Sequence, residues 1–188
     1  MKEITITGSE GLIGSTLCKY FEKQKRSVNK LDLKFGHDLT DESFVKKWFK
    51  NNPTKYLVNC FALNDHIDKK KRKSNLYNFS LDQFSKYLET NVTALFSVCK
   101  EFSKNNKTGS IVNFSSTYGL VSPNPKLYGK SQKNIAYCIS KGAVINLTKY
   151  LAVHLAPNIK VNCIVPGGIQ FNQNNKFVSN YSKLTPMK

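Results

Sequence analysis

The first fourteen residues constrain this chain more than any other stretch. Ile4-Thr5-Ile6 is a short β-branched run. Thr7-Gly8-Ser9-Glu10-Gly11-Leu12-Ile13-Gly14 follows, and apolar residues then recur at Leu17, Tyr20 and Phe21. The pattern reads as strand, glycine turn, helix. Glycines at 8, 11 and 14 let the backbone turn tightly and come close to a pyrophosphate. The helix N-terminus adds N–H donors and the positive end of its dipole. An ordinary tight turn could use the same glycines, but it would not need this strand before it and this helix after it.

The rest of the chain continues the alternation. Strands are expected at 3–7, 28–33, 55–61, 109–115 and 159–165, and helices at 11–25, 41–51, 81–105 and 135–156. Such alternation predicts an α/β fold, a Rossmann-like doubly wound parallel sheet with helices on both faces. Right-handed crossovers place the first strand centrally, with a switch point beside it. Thr40 or Asp41 can cap the second helix. Residues 63–79 and 117–134 read as polar loops, and the Asn-rich tail 169–188 has weak helical character.

Three further features sit where ligand chemistry would need them. Asp32 ends the second expected strand, 18 residues after Gly14. That is close to the spacing at which an acid hydrogen-bonds the ribose of NAD. An acid there repels the extra phosphate of NADP, although Lys30 and Lys34 flank it, so NAD is preferred and NADP is the alternative. The buried-strand pattern Gly109-Ser110-Ile111-Val112-Asn113-Phe114 ends in Ser115-Ser116, at the carboxyl edge where open α/β sheets bind ligands. Tyr137 and Lys141 form a Y-x-x-x-K on the last long helix. Positions i and i+4 share a face. An ammonium beside a phenol is expected to lower the phenol's pKa from its model value of ~10 and make it a usable acid/base.

Together these residues resemble the short-chain dehydrogenase/reductase family, from Thr7 to about Asn172. Thr7 to Gly14 is similar to the family's cofactor turn. Leu57-Val58-Asn59-Cys60-Phe61-Ala62 resembles a degraded form of its L-V-N-N-A-G segment. Val161-Asn162-Cys163-Ile164-Val165-Pro166-Gly167-Gly168 resembles its V-N-x-I-x-P-G segment, which ends beside the nicotinamide. The resemblance implies catalytic roles for Asn91, Ser116, Tyr137 and Lys141. Tyr137 would exchange the hydroxyl proton, Lys141 would tune it and hold the nicotinamide ribose, Ser116 would polarise the substrate oxygen, and Asn91 would support a proton-relay water. It implies a nicotinamide dinucleotide held by Gly8, Ser9, Glu10, Gly11, Leu12, Ile13, Gly14, Asp32, Asp38, Leu39, Asn59, Cys60, Phe61, Tyr137, Lys141, Pro166, Gly167 and Ile169. Substrate would meet Ser116, Tyr118 and Tyr128. The reaction implied is hydride transfer between the nicotinamide and a secondary alcohol or ketone. Relatives commonly pair through the helices corresponding to 81–105 and 135–156, so a homodimer is expected, with a tetramer as the larger alternative. Within the family, Ser115-Ser116-Thr117-Tyr118-Gly119 and the long stretch before Tyr137 resemble bacterial members of surface-sugar and flagellin-glycan pathways.

The departures from the family pattern carry expectations of their own. Phe61 is bulky where the chain should pass the cofactor, so this loop should sit differently. Only Leu33 to His37 separate Asp32 from Asp38, too few for a crossover helix between parallel strands. The usual third strand should be short or absent, leaving about five to six strands. Asp38-Leu39 would then reach the adenine from a loop. Ser116 and Tyr137 are 21 residues apart, more than the family's common spacing. The chain also stops early relative to the family, without its C-terminal strand. One domain spanning 1–188 is the natural reading, C-terminally short, and the strand at 159–165 becomes a sheet edge.

Composition narrows the partners. The formal net charge is +17, and of 29 basic residues only Arg26 and Arg72 are arginine. Nucleic-acid readers lean on arginine and interleaved aromatics, so specific nucleic-acid binding is not expected. The cluster Lys69-Lys70-Lys71-Arg72-Lys73 reads first as a solvated loop. Lys126, Lys130 and Lys133, with Tyr128, lie between Ser116 and Tyr137. They suggest an anionic small-molecule substrate such as a sugar phosphate or nucleotide sugar, or else simple solvation. Five scattered cysteines form no C-x-x-C and fit free thiols in a reducing cytosol. His37, His66 and His154 are isolated, so no metal is expected. No leader precedes Ile4, and no apolar run approaches the ~20 residues that span a bilayer. The expectation is a cytoplasmic enzyme. The competing reading is an inactive or truncated relative that binds a dinucleotide or a polyanion.

Overall fold

The computed structural model describes residues 2–64, 76–128, 132–173 and 175–186. Lys69 to Lys73, His66 and Lys130 lie outside the described residues. Among the described residues, five strands form one parallel sheet: β1 (Ile4–Thr7), β2 (Val28–Leu31), β3 (Tyr56–Asn59), β4 (Gly109–Phe114) and β5 (Ile159–Ile164). Their spatial order is β2-β1-β3-β4-β5. The α-helices among the described residues are α1 (Leu12–Lys23), α2 (Glu42–Asn51), α3 (Leu81–Leu88), α4 (Ala94–Lys104), α5 (Ile135–His154) and α6 (Asn175–Lys183). Asp41 caps α2 by accepting from the backbone N–H groups of Ser43 and Phe44. Leu33–Phe35 makes only a 3-10 turn, so the third strand of the usual pattern is absent among the described residues.

That absence corrects the expected place of β1. With one strand on its β2 side and three on the other, β1 is second from the edge and β3 takes the middle. The switch point survives. The chain leaves β1 toward β2, then crosses back to β3, so the two connections open a crevice at the carboxyl ends of β1 and β3. Among the described residues β5 stands at the end of the strand order.

The two faces of the sheet are covered unequally. The larger core lies under α2, α4 and α5. Leu57 and Ile111 of the sheet meet Val45 and Phe49 of α2, Val98 and Phe102 of α4, and Val144 of α5 there, all essentially inaccessible. Phe49 and Phe102 meet edge to face at 6.2 Å, a favoured aromatic geometry. On the opposite face α1 covers Ile4, Ile6 and Val28, while Lys160, Asn162 and Ile164 of β5 are exposed. The expected single helix over 81–105 is broken by a π-turn, Glu89–Thr93, between α3 and α4. Such bulges are frequent at functional sites, and this one carries Asn91.

Candidate active site

The glycine turn is built by close backbone packing. Gly8 has φ +64°, in the left-handed region, and a Cβ there would lie 2.6 Å from the backbone nitrogen of Phe61. A Cβ on Gly14 would lie 2.1 Å from the Gly8 carbonyl oxygen. Glycine is therefore required at both places. Gly11 is the N-cap of α1 and no side chain caps the helix, so its first-turn N–H groups have no side-chain acceptor. Ser9 Oγ is buried and has no hydrogen-bond partner among the described residues. A buried hydroxyl without a partner at an uncapped helix start fits a phosphate acceptor.

Phe61 does not push its loop away from this turn, contrary to expectation. The ladder continues past β3, with Cys60 N donating to Thr7 O at 3.0 Å. The Phe61 ring packs against the larger core, so its bulk is taken up there while its backbone stays tight against Gly8.

Asp32 closes the other side. Its carboxylate accepts from Glu10 N at 2.9 Å and from Lys34 N at 3.0 Å, which ties the end of β2 to the glycine turn. Lys30 is held by Glu22 at 2.7 Å. Of the two lysines flanking Asp32, only Lys34 lines the crevice. The crevice is a cavity of about 310 Å³ walled by Gly8, Gly11, Asp32, Asp38, Leu39, Cys60, Phe61 and Thr90, among others. Asp38 and Leu39 reach it from a loop, as their spacing predicted. Apolar walls with an acid at the rim suit an adenosine moiety. Thr90 and His37 also line it, and the local sequence gave no sign of either. Asn59 does not face the cavity. It lies inside a buried chain of hydrogen bonds, Thr7 to Asn59 (3.0 Å), Asn59 to Asn113 (2.9 Å) and Asn113 to Thr148 (3.0 Å). It joins β1, β3, β4 and α5 rather than lining a ligand site.

At the other end of the site, α5 presents Tyr137 and Lys141 on one face, both buried. Asn134 caps α5 by accepting from Tyr137 N at 3.1 Å, so Tyr137 lies in the first turn. Lys141 Nζ donates to Phe114 O at 2.8 Å and stands 5.7 Å from the Tyr137 ring centre. Ser115 Oγ donates to Lys141 O at 2.6 Å, which fixes α5 to the end of β4. Asn91 uses its amide on two elements. It donates to Leu63 O at 3.1 Å and to Ser140 Oγ at 3.0 Å, and accepts from Leu63 N at 2.7 Å. Both of its N–H groups are thereby committed. Ser140 and Ser115 went unread in the sequence as site supports because their partners are remote.

The electrostatics differ from the expectation in one respect. Burial pushes the Tyr137 phenol above its ordinary range, and the nearby Ser116 side chain pulls the other way. Lys141 does not bring the phenol below that range. Burial depresses Lys141 itself to about 8, and its ammonium is turned to the Phe114 carbonyl. Desolvation outweighs a charge that is itself weakened. The Cys60 thiol is pushed up to about 12 by burial, so it is no nucleophile.

Beyond Ser116, the Tyr118 and Tyr128 hydroxyls meet at 2.5 Å. Tyr128 packs on Phe177 at 5.8 Å, and Phe177 stacks on Tyr181. Tyr181 Oη accepts from Gly168 N at 2.6 Å. Helix α6 is thereby fastened both to the segment 117–128 and to Pro166-Gly167-Gly168. Pro166 O accepts from Thr117 N at 3.1 Å, next to Ser116. Ile169 is half exposed just beyond. No group of three or more His, Cys, Asp or Glu side chains that could hold a metal ion occurs among the described residues, and no described helix is long and apolar enough to cross a membrane.

Known proteins with similar sequences and structures agree on one family. The family described as enoyl-(acyl carrier protein) reductase matches residues 16–187. The post-translational flagellin modification protein A of Campylobacter coli is 26% identical, over all of this chain and 84% of its own length. The 3-oxoacyl-[acyl-carrier-protein] reductase FabG of Rickettsia bellii is 30% identical, over 91% of this chain and 74% of its own. Among solved structures, a short chain dehydrogenase from Leptospira borgpetersenii with bound NAD+ superposes with a TM-score of 0.85 at 27% identity. That match covers 98% of this chain and 78% of the other.

Proposed function

The chain belongs to the short-chain dehydrogenase/reductase family, and on that premise we propose that it moves a hydride between NAD and a secondary alcohol or ketone, with Tyr137 as the acid/base. One observation carries this reading: Tyr137 and Lys141 lie buried on one face of α5, beside Ser116, at the carboxyl edge of the sheet. A bound nicotinamide supplies or accepts the hydride. In the oxidative direction the Tyr137 phenolate oxygen takes the alcohol proton, and in the reductive direction it returns that proton to the forming alkoxide. Ser116 Oγ donates to the same substrate oxygen. The Lys141 ammonium, 5.7 Å from the Tyr137 ring centre, would hold a ribose and, while protonated, favour the phenolate. Asn91 holds the loop after β3 against α5, so its side chain acts by positioning, and any water it supports must use the remaining lone pair of its carbonyl. Ser9, with the N–H groups at the start of α1, would hold the pyrophosphate, and Asp32 the adenosine ribose. The commitment of Lys30 to Glu22 supports NAD over NADP.

An anionic sugar derivative is the substrate class we favour. The Tyr118–Tyr128 pair lies close in sequence after Ser116, and the exposed Lys126 stands two residues before Tyr128, which supports an anionic ligand there. Self-association would use α4 and α5, where Phe96, Ile139, Tyr150 and Val153 are exposed. Tyr137→Phe tests the assignment. With NAD+ and a panel of sugar phosphates and nucleotide sugars, NADH formation should fall at least ~100-fold, while NADH binding followed by nicotinamide fluorescence stays near wild type. Unchanged turnover would remove Tyr137 as the acid/base.

A further inference from the structure

Lys133 stands one helical turn before Tyr137, just outside α5 and its cap Asn134. Its ammonium lies 4.3 Å from the Tyr137 ring centre, nearer than that of Lys141 at 5.7 Å. The same ammonium donates to Asn64 Oδ1 at 2.6 Å. Asn64 follows Leu63, whose N–H and carbonyl are both held by Asn91. The contact therefore runs through a fixed chain, from the π-turn through the loop after β3 to the ring.

We propose that Lys133 is a positioning residue for proton transfer at Tyr137: it clamps the ring from outside the helix and sets a second positive charge beside it, so that the phenol works between two lysines. The proposal rests on the reading of Tyr137 as the acid/base. A cation over an aromatic face favours the more electron-rich ring, which here is the phenolate. The first turn of α5 adds the positive end of the helix dipole. Both oppose burial, which favours the neutral phenol. Lys141, deep in the site, is a weakened charge, whereas Lys133 is only half-buried. The other titratable groups packed on Tyr137 are Tyr87 of α3, Tyr118 after β4 and Cys138 of α5 itself. Burial holds the Tyr118 phenol and the Cys138 thiol above their ordinary values, so both stay neutral near pH 7, and among the described residues Lys133 and Lys141 are the cations over this ring.

The test is a pH titration of protein carrying 13C at tyrosine Cζ, with the Tyr137 signal identified by its loss in Tyr137→Phe. In Lys133→Gln the Tyr137 midpoint should rise by about one pH unit, and in Lys133→Arg it should stay near wild type. Asn64→Ala, which removes one partner of the ammonium, should move it in the same direction by less. Midpoints in Lys133→Gln and Asn64→Ala that match wild type would overturn the proposal. The readout needs neither cofactor nor substrate. A negative result would thus remove Lys133 without touching hydride transfer, while full activity of Tyr137→Phe would remove the acid/base role and leave the titration standing.

Discussion

Lys141 is the residue at which site chemistry and stability pull against each other. Its ammonium is buried with one backbone acceptor, and desolvation lowers it from 10.5 to about 8. Below about pH 8 the lysine is protonated in both the folded and unfolded states. Between about 8 and 10.5 the unfolded chain keeps the proton and the folded one has lost it. The unfolded state then binds more protons, so stability rises with pH across this interval. The gain is roughly 3 kcal/mol over the interval. Urea denaturation of wild type and Lys141→Met at several pH values isolates this group, and the difference between the two should show the rise. A difference that stays flat from pH 7.5 to 10.5 would mean that the ammonium is not desolvated. The thiol of Cys60, raised by the same burial, supports a dry site at this end of the sheet.

Elements were more legible than contacts. The period-2 and 3.6-residue patterns placed every strand within two residues of its observed ends, because those patterns follow from burying one face of a local segment. The π-turn at Glu89–Thr93 left no such mark, since one extra residue in a turn scarcely alters the apolar spacing. The Y-x-x-x-K pair and Ser116 were legible as motifs. The Ser140–Asn91 bond and the seat of Lys133 on Tyr137 were not, because each depends on how separate elements dock. The side-chain network of Asn59 was not legible for the same reason: a buried asparagine in a strand can serve a polar network as well as a cavity. The π-turn gives its own prediction. Asn91→Ala leaves the N–H and carbonyl of Leu63 without their partner, at about 1–3 kcal/mol for each buried group left unsatisfied. A fall in denaturation free energy of about 2 kcal/mol or more is expected. A change below about 0.5 kcal/mol would show that water replaces the amide there.

At the scale of the molecule, one end of the sheet gathers a largely apolar cavity rimmed by Asp32, an uncapped helix start and a buried phenol–ammonium pair. Exposed apolar side chains follow one stripe of α5, at Ile139, Tyr150 and Val153, and a stripe of that kind marks an interface more often than a free surface. Sedimentation velocity should find a dimer that Ile139→Lys combined with Val153→Lys converts to monomer. A wild-type monomer at micromolar concentration would remove that interface. Whether the crevice between β1 and β3 is a working NAD site is read by titrating the folded protein with NADH and NADPH and following nicotinamide fluorescence. NADH should bind saturably and in preference to NADPH, and Asp32→Ala should weaken it at least ~10-fold by loss of a charge-assisted hydrogen bond. A folded wild-type protein that binds neither nucleotide would contradict the NAD-site reading.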